Sequence, residues 1–200
     1  MRWDDLFNDL EGQLESEHTS EDADLRAEEE RLRLARLGLR DRLLSVHRSS
    51  RGPENRVLRL ALGDGTHVSV TPSTFGRDWF AGELHGELRK DRPCVIPLES
   101  ISSVAFTAGQ VRASLDGPVE DEADRSLAAR LGLGFLLRDL CRRRAPVTLQ
   151  LRSLTLSGTL DRVGRDHCDL AVHDAGGVRR RSEVTEVRMV RFTDVIMVLL

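Results

Sequence analysis

Pro97-Leu98-Glu99-Ser100-Ile101-Ser102-Ser103-Val104 and Arg191-Phe192-Thr193-Asp194-Val195-Ile196-Met197-Val198 decide how this chain reads. Apolar residues fall at 98, 101 and 104 and again at 192, 195 and 198, each pair offset by 94. Upstream, Gly76-Arg77-Asp78 matches Gly164-Arg165-Asp166 at the same point of each half. Two matches in the same order point to an internal repeat.

Working outward, short strands are predicted over 56–62, 66–71, 78–84, 93–98 and 101–106, with Gly63-Asp64-Gly65 as a tight turn between the first two. A second series follows over 147–151, 154–161, 166–172, 187–192 and 195–199. A helix precedes each series. From Asp24 to Val46 there is no proline and one glycine, Gly38, and Leu25, Leu32, Leu39 and Val46 recur every seven residues. Glu29, Arg36 and Leu43 at the second heptad position are inconsistent, so packing on the chain's own strands competes with a dimer seam. Glu122 to Arg144 is the other helical stretch, weakened at Gly132 and Gly134 and ended by Ala145-Pro146.

Ahead of both units, Trp3, Leu6, Phe7, Leu10 and Leu14 have helical spacing opposite Asp4, Asp5, Asp9 and Glu11. The expected organisation is an amphipathic N-terminal helix over 1–14 and an acidic linker over 15–24. A helix plus first barrel then spans 25–110, and a helix plus second barrel 111–200.

The chain has 200 residues, 40% hydrophobic and 32% charged, which is the composition of a globular protein. Neither a membrane span nor a signal peptide is predicted, since the longest apolar runs fall far short of the ~20 residues needed. Three widely spaced cysteines argue against a disulfide framework and for a cytoplasmic home. Net charge is −3, divided as −5 over residues 1–50, −2 over 51–139 and +4 over 140–200. The basic C-terminal third points weakly to an anionic partner.

A helix followed by five bent strands, with a three-residue turn before the last, resembles the Sm-like and SH3-like small barrels. Val95 to Val104 is similar to the fourth strand, turn and fifth strand of the bacterial Sm-like RNA chaperones, and Asp64-Gly65 to the D-G turn of that family. Ser157-Gly158-Thr159-Leu160 resembles its second-strand glycine element. The resemblance implies an α+β fold of two small barrels in tandem, each closed by a sharp strand bend. The whole chain, opening Met1-Arg2-Trp3-Asp4-Asp5-Leu6-Phe7, also resembles conserved actinobacterial proteins of unknown function. The base-holding Asn of the family is absent after both Gly-Arg-Asp turns, where Trp79-Phe80 and His167-Cys168 stand instead. The family's RNA-binding residues therefore do not carry over.

Catalytic and cofactor motifs are absent, and no enzyme is expected. Gly132-Leu133-Gly134 sits in a helical pattern and reads as close packing rather than a phosphate loop. His167, Cys168 and His173 are the one tight group of soft ligands, but adjacent strand residues face opposite ways, which leaves two ligands at best. No metal is expected.

The expected function is a non-enzymatic binding or adaptor role, with a protein partner or self-association. Trp3, Phe7 and Leu10 are the candidate anchors, set against the N-terminal helix folding back on its own barrel. The alternative is RNA or single-stranded nucleic acid held by Arg142, Arg143, Arg144, Arg179, Arg180 and Arg181. Trp79 is a stacking platform in that reading and a core residue otherwise.

Overall fold

A computed structural model describes residues 22, 24–49, 56–86, 89–116, 127–174 and 184–200. The N-terminal anchors Trp3, Phe7 and Leu10 and the arginines 179–181 lie outside the described residues. The chain divides into two units, Met1–Gly38 and Leu39–Leu200. In the first, residues 24–35 form a helix, α1, whose Leu25 and Leu32 are exposed. Glu30 and Arg33 pair along its surface.

The single long helix expected from 24 to 46 is two helices. Arg36 and Leu37 close tight turns onto Arg33 and Leu34 instead of continuing the α-helical ladder, and Gly38 follows. The next helix, α2, is Leu39–Ser49. A glycine pays the largest backbone entropy in a helix, so the break falls where propensity is weakest.

The second unit holds both strand series. The first is β1 (Leu58–Leu62), β2 (His67–Phe75), β3 (Trp79–Gly86), β4 (Arg89–Pro97) and β5 (Ile101–Ala105). Helices α3 (Ala108–Leu115), α4 (Leu127–Arg130) and α5 (Leu133–Arg142) follow. The second series is β6 (Pro146–Leu151), β7 (Thr155–Val163), β8 (His167–Val172), β9 (Glu186–Arg191) and β10 (Val195–Leu199). Helix α3 was not expected. It starts at a capping box in which Thr107 and Gln110 bond each other's backbone N–H.

The two separate barrels implied by the resemblance are not formed. All ten strands join one antiparallel sheet in the order β5-β1-β2-β3-β4-β10-β6-β7-β8-β9. β4 pairs with β10, Val95 opposite Val198 and Cys94 opposite Leu199, and β10 continues onto β6. The physical reason is the burial of these two strands. Cys94 to Ile96 and all of Val195 to Leu199 are buried, with neighbouring residues on opposite faces. A strand apolar on both faces belongs in the middle of a sheet, where its backbone groups also find partners.

Each half has its own helix-covered core, and each core borrows from the other half. Leu43, Leu44 and Val46 of α2 pack with β1–β4 and with Ile196, Met197 and Leu199 of β10. Leu133, Leu137 and Leu140 of α5 pack with β6–β10 and with Trp79 and Val95 of the first series. The order 5-1-2-3-4 is the same in both series, so the halves are joined by the fourth strand of one and the fifth of the other.

Candidate ligand cleft

The two Gly-Arg-Asp turns carry the same hydrogen bonds. Gly76 N–H donates to the Trp79 carbonyl and Gly164 N–H to that of His167, both at 2.8 Å. The Asp78 carbonyl accepts from Leu98 N–H (2.9 Å), as the Asp166 carbonyl does from Phe192 N–H (2.8 Å). At Gly76 a Cβ would sit inside the buried Trp79 indole, so glycine is required there; at Gly164 it would lie 2.6 Å from Cε1 of the half-exposed His167, which would have to shift. An arginine from a helix braces each turn. Arg40 Nε donates to the Gly76 carbonyl (2.8 Å), and Arg138 Nη2 to that of Gly164 (2.9 Å).

Both turns line one cleft of about 730 Å³, with the start of α5 between them. The carboxylate of Asp78 organises its near wall. Oδ1 accepts from Leu133 N–H at 2.7 Å and so caps α5, while Oδ2 lies 3.4 Å from Arg77 Nη2. Trp79 Nε1 donates to the Leu131 carbonyl just before the helix (3.0 Å). On the far wall, the hydrogen bond from His167 Nδ1 (2.8 Å) holds the Asp166 carboxyl below its usual range. Arg77, Arg130, Arg138 and Arg165 line the cleft together with three carboxylates, Asp78, Glu99 and Asp166. Phe135, on the first turn of α5, is 52% exposed in the opening.

Of the residues singled out in the sequence, Trp79 is in the core, with no ring face open to a base. Arg142 and Arg143 both pair with Asp139, and Arg144 is exposed at φ +50 where α5 ends. None of the three lines the cleft. Cys168 is buried, and its burial pushes the thiol up to about 12; Cys94 is likewise pushed up to about 11. His173 bonds Thr159 Oγ1 (2.9 Å) and the Asp174 carbonyl (3.1 Å). Among the described residues, no three His, Cys, Asp or Glu side chains are grouped to hold a metal ion. No helix among them is long and apolar enough to cross a membrane.

Sequence reasoning missed two elements of this design. Thr71 bonds His85 at 2.6 Å just as Thr159 bonds His173, a matched pair of strand-crossing contacts. Ala35-Arg36-Leu37-Gly38-Leu39 recurs as Ala129-Arg130-Leu131-Gly132-Leu133, again offset by 94. That identical pentapeptide marks the entry to α2 and α5, and it was the signal for the helix break beside the cleft. Comparison with family models, with curated proteins and with solved structures finds no match.

Proposed function

We propose that this chain is a non-enzymatic binding protein of the cytoplasm, an adaptor whose cleft receives a polar segment of a partner protein. The mixed lining carries this reading: four arginines and three carboxylates share the cleft with an exposed aromatic ring. Sites for polyanions are dominated by one sign of charge, whereas protein surfaces are recognised by matched charges around an aromatic anchor. Free thiols at Cys94, Cys141 and Cys168 support a reducing compartment.

A photo-crosslinking residue at position 135 tests the proposal. In nuclease-treated lysate it should label a protein that Arg130→Glu and Arg138→Glu no longer retain. A second reading, single-stranded nucleic acid, draws on Phe135 beside Arg138 on α5. It is favoured instead if the label falls on nucleic acid and binding weakens steeply with salt. Labelling that is indifferent to both arginine reversals rejects the cleft as the contact surface.

A further inference from the structure

We infer that copies of this chain assemble edge to edge, with β9 of one copy antiparallel to β5 of the next and Met189 opposite Val104. The template is the junction inside the chain. There Val198 faces Val95, Leu199 faces Cys94, and Leu200 N–H donates to the Pro93 carbonyl at 3.0 Å. The repeat offset of 94 carries Val198, Leu199 and Leu200 to Val104, Ala105 and Phe106, and Val95, Cys94 and Pro93 to Met189, Arg188 and Val187. The first set belongs to β5 and its exit, the second to β9, and among the described residues these are the two ends of the sheet.

Exposure on β9 supports the transfer. Val95 is 1% exposed in the inner junction, whereas Met189 is 72% and Val187 58% exposed. Unpaired strands bearing large apolar side chains are templates for pairing with another strand. The exchanged pairs keep their bulk: a short residue opposite a long one, Cys94 and Leu199, becomes Arg188 opposite Ala105.

The helix surface gives an independent sign. Leu133 is 5% exposed, and its N–H is capped by Asp78 from the first half. Its equivalent Leu39 is 40% exposed at the start of α2. The equivalent of Asp78 is Asp166, beside β8 and so on the β9 side of the sheet. Docking β9 of one copy onto β5 of the next brings Asp166 to Leu39 as Asp78 is brought to Leu133. The occupant is therefore a second copy, since each free edge is one of the two complementary surfaces of the inner junction. Such a contact is heterologous, so every added copy presents both edges again until a ring closes. This inference does not rest on the cleft reading.

Native mass spectrometry and sedimentation of the full chain are expected to show species larger than a dimer growing with concentration. Met189→Asp should give a monomer with an unchanged Tm. In a Cys141→Ser background, chains carrying Val104→Cys mixed with chains carrying Met189→Cys should form a mixed disulfide. Its yield should be several-fold above that of Val104→Cys with Val187→Cys, because only directly opposed residues bring Cβ atoms within disulfide reach. The cross-link decides the matter if Met189→Asp disturbs folding. A chain monomeric at every concentration, assembly that survives Met189→Asp, or cross-linking of Met189→Cys chiefly to itself overturns the proposal.

Discussion

β4 and β9 occupy the same place in their series and live in different surroundings. β4 lies between β3 and β10, and its Cys94, Val95 and Ile96 are buried. Among the described residues β9 has one neighbour, β8, and it displays Val187, Arg188, Met189 and Arg191 to solvent, with Val190 its one buried residue. Charge has been added at the edge, with Arg188 held by Glu186 (2.6 Å) and Arg191 by Asp194 (3.0 Å). Arginines on an edge oppose indiscriminate pairing, while the apolar residues between them leave a selective pairing surface. The comparison separates what a strand needs to sit inside a sheet from what it needs to end one.

The most forceful way to break this contrast is to truncate the centre and the edge in parallel. Ile196, on β10, is buried in the core of the opposite half. Ile196→Ala is expected to cost about 2–5 kcal/mol, with both halves losing protection together in hydrogen exchange, because the cavity opens where they interlock. Met189→Ala in dilute protein should stay within about 0.5 kcal/mol of the parent. Denaturant midpoints read both. Equal losses would mean that edge and centre are not energetically distinct.

Much of this contrast was legible beforehand, though not as a sheet. Alternation placed most strand ends within a few residues, because a half-buried strand writes its two faces into the sequence. It does not name the neighbouring strand, and so β4 and β10 were assigned to separate barrels. The run Val195 to Leu199 held the missing information, since five consecutive buried apolar residues describe a strand covered on both faces. Nor was the cleft legible as a site. The Gly-Arg-Asp turns stood out as repeats, but their meeting across α5 depends on the β4–β10 pairing that the sequence did not specify. Trp79 was singled out for its aromatic surface, and the fold spends that surface in the core.

A smaller effect is expected from the two turn carboxylates. Asp78 caps α5 and pairs with Arg77, whereas Asp166 bonds the adjacent, half-exposed His167. Asp78→Ala should lower stability by about 0.5–2 kcal/mol, the usual cost of a lost helix cap. Asp166→Ala should cost much less in the monomer, and thermal melts compare the two directly. If the inferred assembly holds, the ranking narrows as concentration rises, because Asp166 then acquires a helix to cap.

Acid should sharpen the comparison of halves further, through groups that only the first half possesses. His47 on α2 packs against Phe75, with ring centroids 5.6 Å apart. Burial disfavours its charged form, and Arg56 and Arg48 add to this, so its folded pKa lies below the ordinary 6.5. The offset of 94 places Cys141 at the matching point of α5, where no imidazole titrates. The unfolded chain then binds a proton at His47 more readily than the folded one. Its contribution to stability is complete above about pH 6.5 and is lost as pH falls towards the lowered folded value. Asp64 acts in the same direction at lower pH. Burial raises its pKa, but the hydrogen bonds from Thr66 and from Gln150 across the halves outweigh this and hold it below 3.8. Its stabilisation is therefore present above the unfolded carboxyl pKa and disappears in stronger acid. Denaturation midpoints between pH 8 and pH 5 should fall, and His47→Leu should flatten that slope while leaving the later fall due to Asp64 in place. An unchanged slope in His47→Leu would assign the acid sensitivity to some group other than the half-buried imidazole that packs on Phe75.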